Sequence, residues 1–395
     1  MTKKQEKLLV VLISIYLFFI GVHRGGTQLV INDIADLFGT GTGDVGIFTS
    51  IQSIPPLFGP LCAGIIADRI GKKPVVTAFI FMFAIGCGIC GFSGTRMAFI
   101  IGIFIFAMGS TVSEMMSTAT LSDVNVEKSV QYINISQFMF SMGAVVGPLM
   151  VQFFSENAGA DWRFPFSFGF LSFVIMGVLL MLVKFPAVIK KEPDKGSEKD
   201  FKENTAGRKS GKAVDFSFVT PVLACLGIGM LVYIGMEHGY GNFIDSVMQA
   251  KLVTGTVSAL TLSAFWLGMA LCRLAFGLFS NYKPGLMLKV CFLLCTVFLV
   301  ILTLLPGSML SVVISFLIGA AYGPIWCTIE AIAAAKSGGN SGKAIGLMSI
   351  CSGIGGIVLP TAIGKLANVV KVENSLLVLA AAAFIGVIAS LKIKD

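Results

Sequence analysis

Twelve apolar runs, each long enough to cross a bilayer as a helix and nearly free of charge, partition this chain. Crossing the hydrocarbon core takes about 20 apolar residues of α-helix, and only a helix or a closed barrel satisfies its backbone groups in lipid. Barrel strands would read as alternating segments of about ten residues, and these runs do not alternate. The runs predict helices over 8–31, 45–66, 75–93, 97–121, 130–154 and 165–184, then over 217–245, 256–279, 286–304, 309–335, 344–366 and 374–391. Between the two sets lies "KKEPDKGSEKDFKENTAGRKSGK", residues 190–212. The expected architecture is an all-α polytopic membrane protein of twelve transmembrane helices. Its units are a six-helix bundle over 1–185, a linker over 186–216 and a second six-helix bundle over 217–395. Composition agrees: 13% of residues are charged, against about 25% in soluble domains.

Charge placement sets the expected orientation. The loops on one side hold few basic residues, Arg96, Arg163, Lys251, Lys365 and Lys371, whereas the termini and the linker are rich in them. The positive-inside rule then puts both termini and the linker in the cytoplasm. The net charge of +8 is a topological label that also attracts anionic membrane lipid, and it calls for no nucleic acid. Lys3 and Lys4 followed by Leu8 to Ile20 imitate a signal peptide. No small-residue cleavage site follows, so this segment is expected to remain as the first span. The nine cysteines lie within apolar runs, where they act as small hydrophobes. Cys87 and Cys90 form a CxxC spacing without a second pair or a histidine, so no metal and no cofactor is expected.

The two sets of six are related by repetition. Ile20-Gly21 to Gly25 and Ile234-Gly235 to Gly239 share the frame Ile-Gly-x-x-x-Gly at an offset of 214 residues. Gly143 and Pro148 match Gly355 and Pro360 at an offset of 212, and Phe106 and Gly109 match Phe316 and Gly319 at 210. Six helices repeated in one orientation are parallel halves about an axis along the membrane normal, a plan that builds a cavity between them.

Between the second and third spans lies "GIIADRIGKKP", Gly64 to Pro74. It resembles the G-x-x-x-D-R-x-G-x-K/R loop of the major facilitator superfamily, with every position filled. In physical terms, Gly64 permits close helix approach and Gly71 a tight turn. Asp68 suits the positive end of a neighbouring helix, and Arg69, Lys72 and Lys73 hold the loop inside. The resemblance implies that these residues latch the outward-facing state against the eleventh span. "YIGMEHGYGNF" (233–243), "SAFWLGMALCRLAFG" (263–277), "FLIGAAYGPIWCTIEAIA" (316–333) and Glu114 in "GSTVSEMMSTAT" further resemble the fucose permease-type branch of sugar:proton symporters. That resemblance implies alternating access, a proton-coupling role for Glu114, and residence as a monomer in a bacterial inner (plasma) membrane. Two departures stand out: Thr118 occupies a position where that branch often has Asn, and the first span offers His23, Arg24 and Gln28 where an acid can stand.

A charge inside a span costs about 2.5–3.5 kcal/mol at mid-helix, so the exceptions carry information. They are His23, Arg24, Glu114, Glu237, His238 and Arg273, with Glu330 nearer a span end. The two histidines are the only ones in the chain and fall in the two repeated frames. Arg24 lies about 24 Å along the first helix from Leu8 at 1.5 Å per residue, and matched positions of the first and seventh spans come close across the pseudo-twofold. Arg24 and Glu237 are therefore expected to partner each other or a substrate. A lone acid in a membrane is neutral unless paired, which suits Glu114, and Glu237 beside it, to carry protons. Adjacent helical residues point about 100° apart, so one of each pair, His23/Arg24 and Glu237/His238, packs against a neighbouring helix. Gln28, Asn134, Gln137 and His238 are candidate hydrogen-bonding groups for a substrate, and Trp266, Tyr322 and Trp326 candidate stacking platforms. Arg273 suits either helix packing or bidentate capture of a carboxylate. The expected solute is a sugar or sugar derivative moved with protons. The alternatives are a small organic anion held by Arg24 and Arg273, or drug efflux. No nucleotide-cradling loop and no catalytic constellation is present, so an enzyme is not expected.

Overall fold

The computed structural model describes residues 2–39, 42–124, 128–186, 220–278, 283–336 and 341–393. Most of the predicted linker, 186–216, therefore lies outside the described residues. The N-terminal half comprises α1 (Lys3–Leu37), α2 (Thr42–Gln52), α3 (Gly59–Ile70), α4 (Lys72–Gly91), α5 (Arg96–Val124), α6 (Ser129–Ala158) and α7 (Phe164–Leu182). The C-terminal half comprises α8 (Pro221–Ala250), α9 (Gly255–Leu278), α10 (Pro284–Leu304), α11 (Met309–Tyr322), α12 (Ile325–Ala335), α13 (Ser341–Ala367), α14 (Val372–Ser375) and α15 (Leu377–Leu391). Among the described residues, eleven segments are long and apolar enough to cross a membrane. α2 and α3 together supply the remaining crossing, giving twelve in all.

Two predicted helices are broken. The span expected over 45–66 divides at a 3-10 turn, Pro55–Leu57. Pro55 and Pro56 lack the N–H that a continuing helix requires, and each proline disfavours the helical conformation of the residue before it. The span expected over 309–335 divides into α11 and α12 at Gly323-Pro324 for the same reason.

The glycines of the repeated frame explain the packing within each half. An added Cβ at Gly21 would strike the Phe140 carbonyl oxygen of α6, and one at Gly143 would strike the Phe18 carbonyl oxygen of α1. In the other half a Cβ at Gly235 would sit 2.7 Å from the Gly355 carbonyl oxygen of α13, and one at Gly355 would strike that of Leu231 on α8. The first and fifth spans thus cross backbone to backbone, and the seventh and eleventh repeat that crossing. Without a hydrophobic force between helices in lipid, this small-residue contact is what brings them together. The parallel duplication read from sequence therefore has a direct three-dimensional counterpart.

The halves meet through α1 on α8, α2 on α13 and α6 on α9. Their hydrogen bonds gather at the end of the bundle remote from the termini. Asn32 Nδ2 donates to Asp245 Oδ2 (2.9 Å), and Ser246 Oγ to Asn32 Oδ1 (2.5 Å). Asn242 Nδ2 donates to Thr49 Oγ1 (2.9 Å), and Ser263 Oγ to the Val145 carbonyl (2.8 Å). Asn32 and Ser246 are 214 residues apart, the offset of the repeated frame, so the pseudo-twofold axis passes between them. At the terminus-bearing end, a Cβ at Gly64 would meet nothing within 4 Å. The halves form a wedge, sealed at the remote end and parted at the end that carries the termini.

Candidate functional site

Below the seal, mid-way along the bundle, five elements present polar side chains to the space between the halves. α1 brings Arg24, α5 Glu114, α6 Gln137, α8 Tyr233 and Glu237, and α9 Arg273. Arg273 Nη2 donates to the Tyr233 hydroxyl (2.8 Å), which donates to Glu237 Oε2 (2.6 Å). Arg273 Nε also donates to the Gly323 carbonyl (3.3 Å), an acceptor set free by the break between α11 and α12. Gln137 lies beside Glu114. Arg24 lies within electrostatic reach of both Glu237 and Glu114, and Glu114 within reach of Arg273 as well. Four charges from four spans, two of each sign, thus lie within electrostatic reach of Glu114 at the boundary of the halves. On the sealed side of Arg24 a small pocket continues between α1, α2, α5 and α8, lined by Gln28, Phe48, Gln52, Phe106 and Asn242.

Arg24 and Glu237 do not form the direct ion pair that the sequence expects. No ion pair within 4.0 Å joins them, whereas Lys72–Asp123 and Arg163–Asp161 do form such pairs. Tyr233 occupies the Glu237 carboxylate instead, and Arg24 remains half-buried in the chamber without a side-chain hydrogen bond.

Several expected ligand residues lie away from the chamber. His23 is 3% exposed and boxed by Phe83, Phe106, Phe166 and Phe173 at centroid distances of 5.2–5.9 Å. Its Nε2 is 3.3 Å from Cys87 Sγ. His23 is a packing residue of the N-terminal half, since the next residue, Arg24, takes the chamber-facing direction. His238 puts Nδ1 3.1 Å from Ser53 Oγ, at the seam of α8 with the second span. Gln28 and Trp266, both buried, join across the halves through Trp266 Nε1 to Gln28 Oε1 (3.1 Å). Tyr322 is fully buried with its hydroxyl unpartnered. Asn134 is exposed, one turn nearer the terminus-bearing end than Gln137. Trp326, by contrast, is half-buried with its ring 6.0 Å from that of Tyr233, beside the charged cluster.

Of the loop residues, Gly71 connects α3 to α4 with φ 92°, a conformation natural to glycine. Lys72 Nζ donates to Asp123 Oδ2 (2.6 Å) and the Ala119 carbonyl (2.9 Å), tying the loop to α5. Arg69 is exposed, Lys73 is half-buried, and the Asp68 side chain lies outside the described residues. Gly64 faces open space here rather than the eleventh span.

Sequence reading missed two features. Tyr233, which links Arg273 to Glu237, is marked only by standing one turn before Glu237. Asp245 falls at the end of the span expected over 217–245, yet it is 3% exposed and accepts from Asn32, Gln249 (2.8 Å) and Ser258 (2.5 Å). The signal for it was present: Asn32 and Ser246 repeat at the offset of Gly21 and Gly235.

A family model described as Major Facilitator Superfamily matches residues 13–360. A glucose/galactose transporter of Brucella abortus is 25% identical over 336 residues, covering 80% of this chain and 77% of the relative. The crystal structure of a bacterial homologue of the human lysosomal transporter Spinster, inward-facing and occupied, superposes with TM-score 0.71 at 14% identity over 99% of this chain and 96% of that one. The E. coli fucose:proton symporter superposes with TM-score 0.63 at 15% identity, over 97% of each chain.

Proposed function

We propose, from the premise that this chain belongs to the Major Facilitator Superfamily and is an integral membrane transporter, that it moves a sugar or sugar derivative by alternating access with proton symport. The observation that carries the reading is the mid-bundle cluster of Arg24, Glu114, Glu237 and Arg273, contributed by both halves and within electrostatic reach of Glu114. Charges are held at membrane depth only where they line a wet path or pair with one another. Glu114 is the proton carrier and Glu237, already held by Tyr233, its partner across the chamber. Gln137 and Trp326 are placed to meet a solute from either half. The sugar assignment draws on the sugar-transporting relative and on the fucose:proton symporter fold.

With the termini in the cytoplasm, the wedge is open inward and sealed outward. A rocking of the halves against each other parts the Asn32–Asp245–Ser246 seam and so breaks the outer seal. It brings Gly64 and the Asp68 loop against the eleventh span, where the latch engages. One experiment tests the coupling. In proteoliposomes with an imposed pH gradient, Glu114→Gln abolishes accumulation of the solute while sparing its counterflow exchange. Unchanged accumulation removes Glu114 from the coupling role.

A further inference from the structure

The two arginines of the chamber are in different situations. Arg273 is committed: its guanidinium donates to the Tyr233 hydroxyl and to the Gly323 carbonyl, so it braces α8 and α9 against the broken tenth span. Arg24 carries five N–H donors, is half-buried and lines the pocket beside Gln28, Gln52 and Asn242. Among the described residues nothing accepts a hydrogen bond from its side chain, and no carboxylate lies within the 4.0 Å of an ion pair. Glu114 and Glu237 balance its charge from longer range, while its N–H donors are left open to a solute's acceptor. We propose that the transported solute carries a carboxylate, as a sugar acid of the hexuronate kind does, and that this carboxylate docks on Arg24 while Glu114 carries the proton. The inference rests on the proton-coupled reading above and specifies its substrate.

Charge balance makes the two cargoes travel together. With both acids ionised, Arg24 and Arg273 offset Glu114 and Glu237, and the empty chamber is neutral. A proton moving onto the Glu114 carboxylate leaves one positive charge in excess, and a docked carboxylate removes that excess. The states with neither cargo or both are neutral, while those with one alone hold an uncompensated charge in a poorly solvated space, which is strongly disfavoured. Each cargo therefore tightens the binding of the other, by the same factor in both directions. Loading is electroneutral, one proton for each carboxylate. A neutral sugar gains nothing from the protonation of Glu114 by this route.

The titratable and charged groups around the pair are few. Glu114 is faced by Tyr16 and Arg24 of α1, Glu237 of α8 and Arg273 of α9, with Gln137 of α6 beside it. Arg24 is faced by Glu114 and Glu237, with His23 beside it in the chain and His238 on α8. Tyr233 stands between Glu237 and Arg273. Neither histidine contacts Glu114, so the coupled proton belongs to the carboxylate.

The experiment is isothermal titration of the purified full-length protein with glucuronate, galacturonate, glucose and galactose, each in two buffers of different ionisation enthalpy. A uronate is expected to bind at least about tenfold more tightly than its neutral parent and to take up about one proton. Arg24→Gln loses roughly 10- to 100-fold in uronate affinity, the range for hydrogen bonds to a charged group. Arg24→Lys, which keeps the charge, retains part of it, and Glu114→Gln binds the uronate without proton uptake. If a neutral sugar binds as tightly as its uronate, or Arg24→Gln keeps full uronate affinity in cooperatively melting protein, the inference falls and the sugar–proton reading stands. Binding of none of the four by protein that melts cooperatively overturns both.

Discussion

Replacing Asn32 by Val tests whether the polar seam at the remote end holds the wedge closed. Asn32 makes two hydrogen bonds across the halves: Nδ2 to the Asp245 carboxylate at 2.9 Å, and Oδ1 from Ser246 Oγ at 2.5 Å. A bond to a charged group contributes about 1.5–3 kcal/mol and a neutral one about 0.5–1.5 kcal/mol. Both exist only while the remote end is shut. The substitution therefore disfavours this conformer by about 2–4.5 kcal/mol, which at 1.4 kcal/mol per tenfold is roughly a 30- to 1,600-fold shift of the conformer ratio. Asp245 keeps Gln249 and Ser258 as donors, so its carboxylate is not orphaned and the fold is retained. Spin labels at Leu37 and Leu252, both exposed and on opposite halves at that end, report the opening by double electron–electron resonance on a cysteine-free background. The parent gives one short distance, and Asn32→Val adds or substitutes a longer one. Gln249→Ala removes a bond made within α8 and leaves the short distance dominant. An unchanged distribution in folded Asn32→Val refutes the view that the seam sets the conformer balance.

The chamber yields further outcomes. Tyr233→Phe deletes the hydroxyl through which Arg273 reaches Glu237. It is expected to lower the initial uptake rate in proteoliposomes about tenfold or more, because it leaves a carboxylate and a guanidinium each short of a partner. His23→Phe places a fifth phenyl ring in a box already made of four. Its transport stays within about threefold of the parent, and a much larger loss with unchanged thermal stability returns His23 to the list of ligands.

What the sequence made legible follows from what lipid enforces. The spans, the duplication and the mid-membrane charges are written in composition and spacing, because a helix in lipid needs an apolar run and a close crossing needs glycine. Thus Gly21 and Gly235 meet Phe140 and Gly355 as their shared frame implies. Rotation about a helix is less legible, since no amphipathic contrast separates a lipid face from an apolar interior. His23 and Arg24 are neighbours in sequence, yet one enters an aromatic box and the other the chamber. The Pro55-Pro56 pair signals the break in the second span, but the apolar run that continues through it signals an unbroken helix just as strongly. The Asp245 seam was lost because the predicted span stopped at 245, whereas α8 continues to Ala250.

The most direct test places a thiol beside Glu114. Thr118 is half-buried one turn from Glu114 on the same face of α5. Thr118→Cys on a cysteine-free background is exposed to a membrane-impermeant thiol reagent in vesicles of each orientation. The predicted result is modification from the face that carries the termini, slowed by bound solute, with the opposite face protected until the seam is weakened by Asn32→Val. A thiol that reacts from neither face, yet reacts once the protein is denatured, would place this side of α5 in lipid or packed interior and contradict the water-filled chamber between the halves.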